Sequence, residues 1–167
     1  MIVTIWRHGE AGSAPSDRQR ALTDRGTDDV AFGCHRFHDI CVERALPAPG
    51  RILHSSWART TQTADILASA FTHALRAPCE ALIPGSDVAH VDRDLSDVFT
   101  GEAPPEHLVL VSHQPLVTHL VDHLLGERGR VPSLSPGGLV ALRLDAPAAG
   151  CAELLFWALP PSYEAHV

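Results

Sequence analysis

Four residues able to grip or attack an anionic group stand just beyond apolar runs in this chain. Arg7 and His8 follow Ile2-Val-Thr-Ile-Trp6, His113 follows Leu108-Val-Leu-Val111-Ser112, and Arg59 lies shortly after Arg51-Ile-Leu-His54. An arginine offers a planar fork matched to phosphate or carboxylate oxygens. An imidazole is a nucleophile or proton carrier that titrates near neutral pH. Gly9, next to His8, lets the backbone turn and approach a ligand closely. In open α/β sheets the ligand crevice lies at the carboxyl ends of the strands, where these residues fall. Arg7 and His8 alone would serve equally to close a strand at the surface, because so short a motif carries false positives. The rest of the chain has to decide between an anion site and a strand end.

The elements that must position them follow from periodicity. Ile2 to Trp6 is short, apolar and largely β-branched, which suits a buried strand. Residues 11–22 are small and polar and read as a loop. Thr23 is a candidate N-cap for a helix running to about Arg44, since Val30, Cys34, Phe37 and Cys41 recur at helical spacing. Leu46-Pro-Ala-Pro-Gly50 ends it. Arg51–His54 is a second strand, and Ser55 or Ser56 can cap a helix with Ala64, Leu67, Ala68 and Phe71 on one face. Arg59 then sits in a first turn, where it opposes the helix dipole and hints at an anion nearby. Cys79-Glu-Ala-Leu-Ile83 is predicted as a third strand closed by Pro84-Gly85. Ser86 and Asp87 precede a helical stripe of Val88, Val91, Leu95 and Val98. Leu108–Val111 is a buried strand, Pro115 opens a helix with Leu116, Leu120, Val121 and Leu124 inside, and Gly126–Gly137 is a loop. Gly138–Leu144 and Ala152–Ala158 form a closing antiparallel hairpin. Strands alternating with helices predict an α/β fold: a three-layer sandwich with a mostly parallel sheet, helices on both faces and a C-terminal antiparallel hairpin. If both strands run parallel, His8 and His113 share one rim.

Bulk properties narrow the partners. A chain of 167 residues, 45% apolar and 20% charged, fits one globular domain over residues 1–167. A formal charge of −7 argues against nucleic acid or an anionic membrane, so an anionic substrate needs a local basic pocket. No stretch approaches a membrane span, and with Met1 leading straight into a strand no secretory signal or transit peptide is expected. Cys34, Cys41, Cys79 and Cys151 lack C-x-x-C spacing, so reduced thiols and a cytoplasmic location are expected.

Arg7-His8-Gly9-Glu10, Leu22-Thr23-x-x-Gly26, Ser55 with Arg59, and Ser112-His113-x-Pro115, in this order, resemble the histidine phosphatase superfamily. The chain leaves no room for the lid that larger members insert, so it looks most like the compact SixA-like phosphohistidine phosphatases. The resemblance implies a two-step transfer in which His8 attacks phosphorus and carries a phosphohistidine that water hydrolyses. Arg7, Arg59 and His113 would hold the phosphoryl oxygens, with Gln114 and the helix start after it as further phosphate ligands. It also implies a neutral His8 beside a protonated His113. No metal or cofactor is required. One departure bears on substrate. SixA-like chains often carry Glu-Leu-Thr-Pro after the third strand, and this chain reads Ala81-Leu82-Ile83-Pro84. Glu80 and Asp87 are the remaining candidate general acids, although a one-residue shift in a strand turns Glu80 to the other face. A phosphoramidate can be protonated from solvent, so phosphohistidine of a protein, such as a phosphotransfer domain or carrier, is favoured over a phosphate ester.

Two other functions compete: a phosphomonoesterase or mutase for small sugar phosphates, and a non-catalytic module that binds phosphorylated protein. His35-x-x-His38 and His119-x-x-x-His123 have helical spacings, but neither carries the Glu of an H-E-x-x-H motif, and solvent-facing histidines are expected. Glu10 is read either as a holder of the site arginines or as a surface acid. His54 is expected to pack beneath the following loop, and Trp6 to lie in the core.

Overall fold

A computed structural model describes residues 1–167. Its strands are β1 (Ile2–Arg7), β2 (Arg51–His54), β3 (Leu75–Pro78), β4 (His107–Ser112), β5 (Leu139–Leu144) and β6 (Ala152–Ala158). Its helices are α1 (Asp24–Glu43), α2 (Ala58–Ala70), α3 (Val88–Thr100) and α4 (Leu116–Leu125). One sheet carries all six strands in the order β3-β2-β4-β1-β5-β6. β3, β2, β4 and β1 run parallel, while β5 and β6 are antiparallel additions.

Strand alternation splits the core into two layers. On one face Trp6, Ile52, Val109 and Val111 pack with Cys34, Phe37 and Ile40 of α1 and Leu67 of α2. On the other, Val3, Ile5, Leu108 and Leu110 meet Val91 and Leu95 of α3 and Leu116, Leu120 and Leu124 of α4. The fold is the expected three-layer α/β sandwich with its closing hairpin. Trp6 is buried in the core, and Cys34 and Cys41 are buried free thiols.

The caps explain where the helices begin. Thr23 accepts a hydrogen bond from the Gly26 amide at 2.9 Å, satisfying a free donor of α1. Its hydroxyl donates to Glu10 at 2.9 Å, and its amide to the Glu10 carbonyl at 3.0 Å. A Cβ on Gly26 would collide with the Glu10 backbone, so only glycine lets α1 rest against the loop leaving β1. Glu10 therefore holds the start of α1 and not the site arginines, which find other partners.

Two local expectations are corrected. The third strand is Leu75–Pro78, and Glu80–Leu82 forms a single 3-10 turn. β3 is an edge strand with every residue exposed, so no buried face imposed an apolar pattern on it. The buried Ala81 and Leu82 supplied that pattern from a turn instead, and the strand-face argument about Glu80 does not apply. At α2 the N-cap is Trp57 with no side-chain cap, and Ser55 Oγ accepts from the Trp57 amide at 3.3 Å.

Candidate active site

Register brings the two histidines together. Arg7 of β1 lies beside Ser112 of β4, so His8 and His113 leave adjacent parallel strands at the same level. The His8 amide donates to the Ser112 carbonyl at 3.1 Å, and the ring centroids of His8 and His113 stand 5.0 Å apart. Ser55 leaves β2 on the far side of β4 and touches His113, with Oγ 2.8 Å from Nε2. Arg59, in the first turn of α2, reaches back over Trp57 to the same rim. A Cβ on Gly9 would meet Val30 Cγ2 at 2.8 Å and the Gly26 carbonyl at 2.9 Å, so the turn after His8 is packed against α1.

Hydrogen bonds fix the state of His8. Its Nδ1 lies 2.7 Å from the Gly9 carbonyl, which can only accept, so Nδ1 carries the proton. Nε2 then presents its lone pair, and Arg59 Nε–H donates to it at 3.1 Å. Burial, with smaller contributions from Arg59, Arg7 and Arg20, pushes the His8 pKa down to about 4, against the opposing pull of the Gly9 carbonyl. The ring is neutral at pH 7 with its free nitrogen aimed at a guanidinium.

The cations are held with donors to spare. Arg7 donates through Nη1 to the Leu134 carbonyl at 2.7 Å, and its buried Nε has no partner. Gln114 joins the same wall, its amide donating to Ser133 Oγ at 3.2 Å and to the Leu134 carbonyl at 3.4 Å. His113 is buried, and its Nδ1 has no partner. Ser55 Oγ accepts from the Trp57 amide and donates its hydroxyl hydrogen bond to Nε2, so Nδ1 bears the ring hydrogen as a second orphaned donor. Buried unsatisfied donors are costly, and an oxyanion would satisfy both.

His113 departs from expectation. Burial first, then His8 and Arg59, push its pKa down to about 3, so it is neutral in the empty site. No carboxylate hydrogen-bonds to either of its nitrogens, and His8, Arg59 and Arg7 oppose a further proton against the weaker pull of Asp17.

The residue missed from sequence is Asp17, in the loop between β1 and α1. Arg59 donates to the Asp17 carbonyl at 2.7 Å through Nη1 and to its Oδ2 at 3.3 Å through Nη2. Arg20 holds Oδ1 at 3.0 Å. An aspartate in a polar loop reads as surface, and the only sequence signal was its neighbour Arg20, which could not be tied to Arg59 by spacing.

Other candidates fall elsewhere. Asp87 caps α3, accepting from the His90 amide at 3.0 Å and standing 2.8 Å from His90 Nδ1. Glu80 lines a cavity of about 500 Å³ with Ser86, His90, Arg93 and Asp94. Neither bonds to Arg7, His8, Arg59 or His113. His54 is buried between Ser55 and Arg76. His35 and His38 are exposed, His123 pairs with Asp92 at 2.6 Å, and no three His, Cys, Asp or Glu side chains are grouped to hold a metal ion.

Neither a protein-family model nor a curated protein sequence matches this chain. Solved structures do. The protein histidine phosphatase SixA, determined with tungstate, superposes with a TM-score of 0.77 at 27% identity, covering 96% of this chain and 97% of that one. A SixA-assigned protein from Nakamurella multipartitia gives 0.75 at 22% identity over 96% of both chains. A phosphoglycerate mutase from Plasmodium falciparum gives 0.66 at 18% identity, over 99% of this chain and 92% of that one. The parallel sheet with two histidines leaving adjacent strand ends has the fold of the histidine phosphatase superfamily. Within that superfamily its fold is SixA-like. No helix is long and apolar enough to cross a membrane.

Proposed function

We propose that this protein is a metal-independent phosphohistidine phosphatase acting through a phosphoenzyme on His8. The observation that carries the reading is the set of unsatisfied donors around a lone pair. His8 Nε2 is free of hydrogen, and Arg7 Nε and His113 Nδ1 are buried beside the strand ends without acceptors. A tetrahedral dianion set against Nε2 would satisfy those donors and take the Arg59 edge as well.

In the first step the Nε2 pair attacks phosphorus in line, and the bond to the leaving group breaks with its electron pair. The Nδ1–H bond to Gly9 keeps the ring correctly oriented and supports the positive charge that the ring acquires. In the second step water attacks phosphorus, the P–Nε2 pair returns to His8, and dihydrogen phosphate leaves with both water hydrogens. Arg7, Arg59 and His113 hold the oxygens throughout. His113 takes up a proton as the dianion arrives, because a nearby negative charge favours the imidazolium.

Preference for a protein substrate is supported by the short chain, read as one domain without a lid, by Asp87 being engaged at the start of α3, and by Glu80 making no bond to the four site residues. A phosphoimidazole draws its proton from solvent and needs no enzyme acid. The competing reading is a small-molecule phosphatase. It draws on mycobacterial glucosyl-3-phosphoglycerate phosphatase, which superposes with a TM-score of 0.69 at 15% identity in its complex with VO3. Phosphate release from a phosphohistidine peptide in EDTA, by wild type and by His8→Ala, tests the proposal. Turnover that survives EDTA and disappears in the variant is expected. Equal release by the variant overturns the mechanism, and no release by wild type moves the assignment to small phosphate esters.

A further inference from the structure

Arg59 carries a second partner that the two-step chemistry does not use. Its inner edge donates to the His8 lone pair, and its outer edge is taken by Asp17 through both carbonyl and carboxylate. The guanidinium is buried, at 6% exposure, while the Asp17 side chain is 53% exposed. The carboxylate thus caps the solvent side of the group that touches the nucleophile. In-line displacement puts the leaving group opposite Nε2, and Asp17 stands at the exposed end of the Arg59 chain that begins at that nitrogen. Asp17 is the only carboxylate bonded to any of Arg7, His8, Arg59 and His113.

We propose that Asp17 is the specificity-determining carboxylate of this site, selecting phosphoryl donors whose leaving group bears a positive charge. The inference rests on His8 being the phosphoryl acceptor. When phosphoryl oxygens take over Nη2 of Arg59, Oδ2 of Asp17 is released while Arg20 still holds Oδ1. The freed oxygen faces the departing group. A phosphohistidine ring becomes a cation when its second nitrogen takes a proton from water, and Asp17 holds it in that form. His8 Nε2 then forms its bond to phosphorus, the substrate P–N bond breaks, and its pair returns to a ring that leaves as neutral imidazole. No proton moves during that step. Asp17 thus does for the leaving imidazole what the Gly9 carbonyl does for His8. A leaving group carrying carboxylate or phenolate charge gains nothing from Asp17 and is repelled by it.

The test compares kcat/KM for a phosphohistidine peptide and for p-nitrophenyl phosphate in wild type, Asp17→Asn and Asp17→Glu, with His8→Ala as control. The peptide-to-ester ratio is expected to fall about tenfold in Asp17→Asn and to recover in Asp17→Glu, the scale of one charge acting across a partly solvated rim. The alkaline limb of the peptide profile is expected to move down by about one pH unit in Asp17→Asn, with no such shift for the ester. Equal losses on both substrates overturn the inference and leave Asp17 a structural partner of Arg59. Should Asp17→Asn fail to fold, Asp17→Ala is read by the same ratio. Turnover retained by His8→Ala defeats the underlying mechanism instead, a result the ratio cannot mimic.

Discussion

Lowering the pH from 7 to 5 should remove much of this protein's stability while leaving His8, the proposed nucleophile, neutral. His8 and His107 are pushed down to about 4 and His113 to about 3, in each case chiefly by burial. His107 is sealed in the core between Thr4 Oγ1 at 2.8 Å and the Pro47 carbonyl at 2.8 Å. In the unfolded chain these rings return to about 6.5. Between the two sets of values the unfolded state binds more protons, so stability rises with pH through the window and is lost as pH falls from about 6.5 toward 4. Near pH 5 a fully buried ring of this kind accounts for about 2 kcal/mol. Three would give about 6, and the partial exposure of His8 lowers the working figure to roughly 5 kcal/mol. A domain has only about 5–15 kcal/mol in total. Urea unfolding at pH 7, 6 and 5 should show the midpoint falling steeply, and His107→Gln should lessen the slope by about a third. Since His8 itself stays neutral to about pH 4, activity lost near pH 5 should track unfolding and be restored by a stabilising osmolyte. A midpoint unchanged between pH 7 and 5, or a His107 ring that titrates near 6.5 by NMR, would refute the argument.

Three further outcomes follow from the site. Tungstate binding at pH 7.5 should draw close to one proton from solution, because His113 is neutral when empty; calorimetry in two buffers of different ionisation enthalpy measures it, and zero uptake would remove the imidazolium from the site. Ser55→Ala leaves His113 Nε2 without its hydroxyl, which should cost roughly 1–3 kcal/mol of stability and reduce kcat more than it raises KM, as steady-state kinetics would show. Gly26→Ala drives a methyl into the Glu10 backbone and should cost roughly 1–3 kcal/mol or more by urea unfolding, with a variant as stable as wild type contradicting the close contact.

Much of the site was readable because its residues sit where periodicity stops. The runs before His8 and His113 are buried on both faces, so their apolar character marked two strands and their ends. Thr23 and Asp87 were legible as caps because capping chemistry is local, and both perform it. β3 was misplaced because an exposed edge strand containing Arg76 and Pro78 carries no hydrophobic alternation. Asp17 was missed because its meaning depends on a guanidinium far along the chain. The neutrality of His113 in the empty site was not legible for a related reason: its pKa is set by burial and by the His8 and Arg59 that the fold brings beside it. Glu10 could be read from sequence as a partner of the arginines or as a surface acid, and neither reading anticipated its bond to Thr23, which only the return of the chain at α1 supplies.

The place of β1 in the sheet has a consequence for how the protein is made. The strand that carries Arg7 and leads into His8 lies between β4 and β5, whose residues are translated roughly 100 and 130 residues after it. At 5–20 residues per second that interval is on the order of ten seconds. Throughout it β1 is an apolar segment with both edges unpaired, the kind of stretch that chaperones hold and neighbouring chains capture. The candidate site would therefore be completed in one closing event when β1 finds both neighbours, and before it a nascent chain would carry His8 without the partners that surround it.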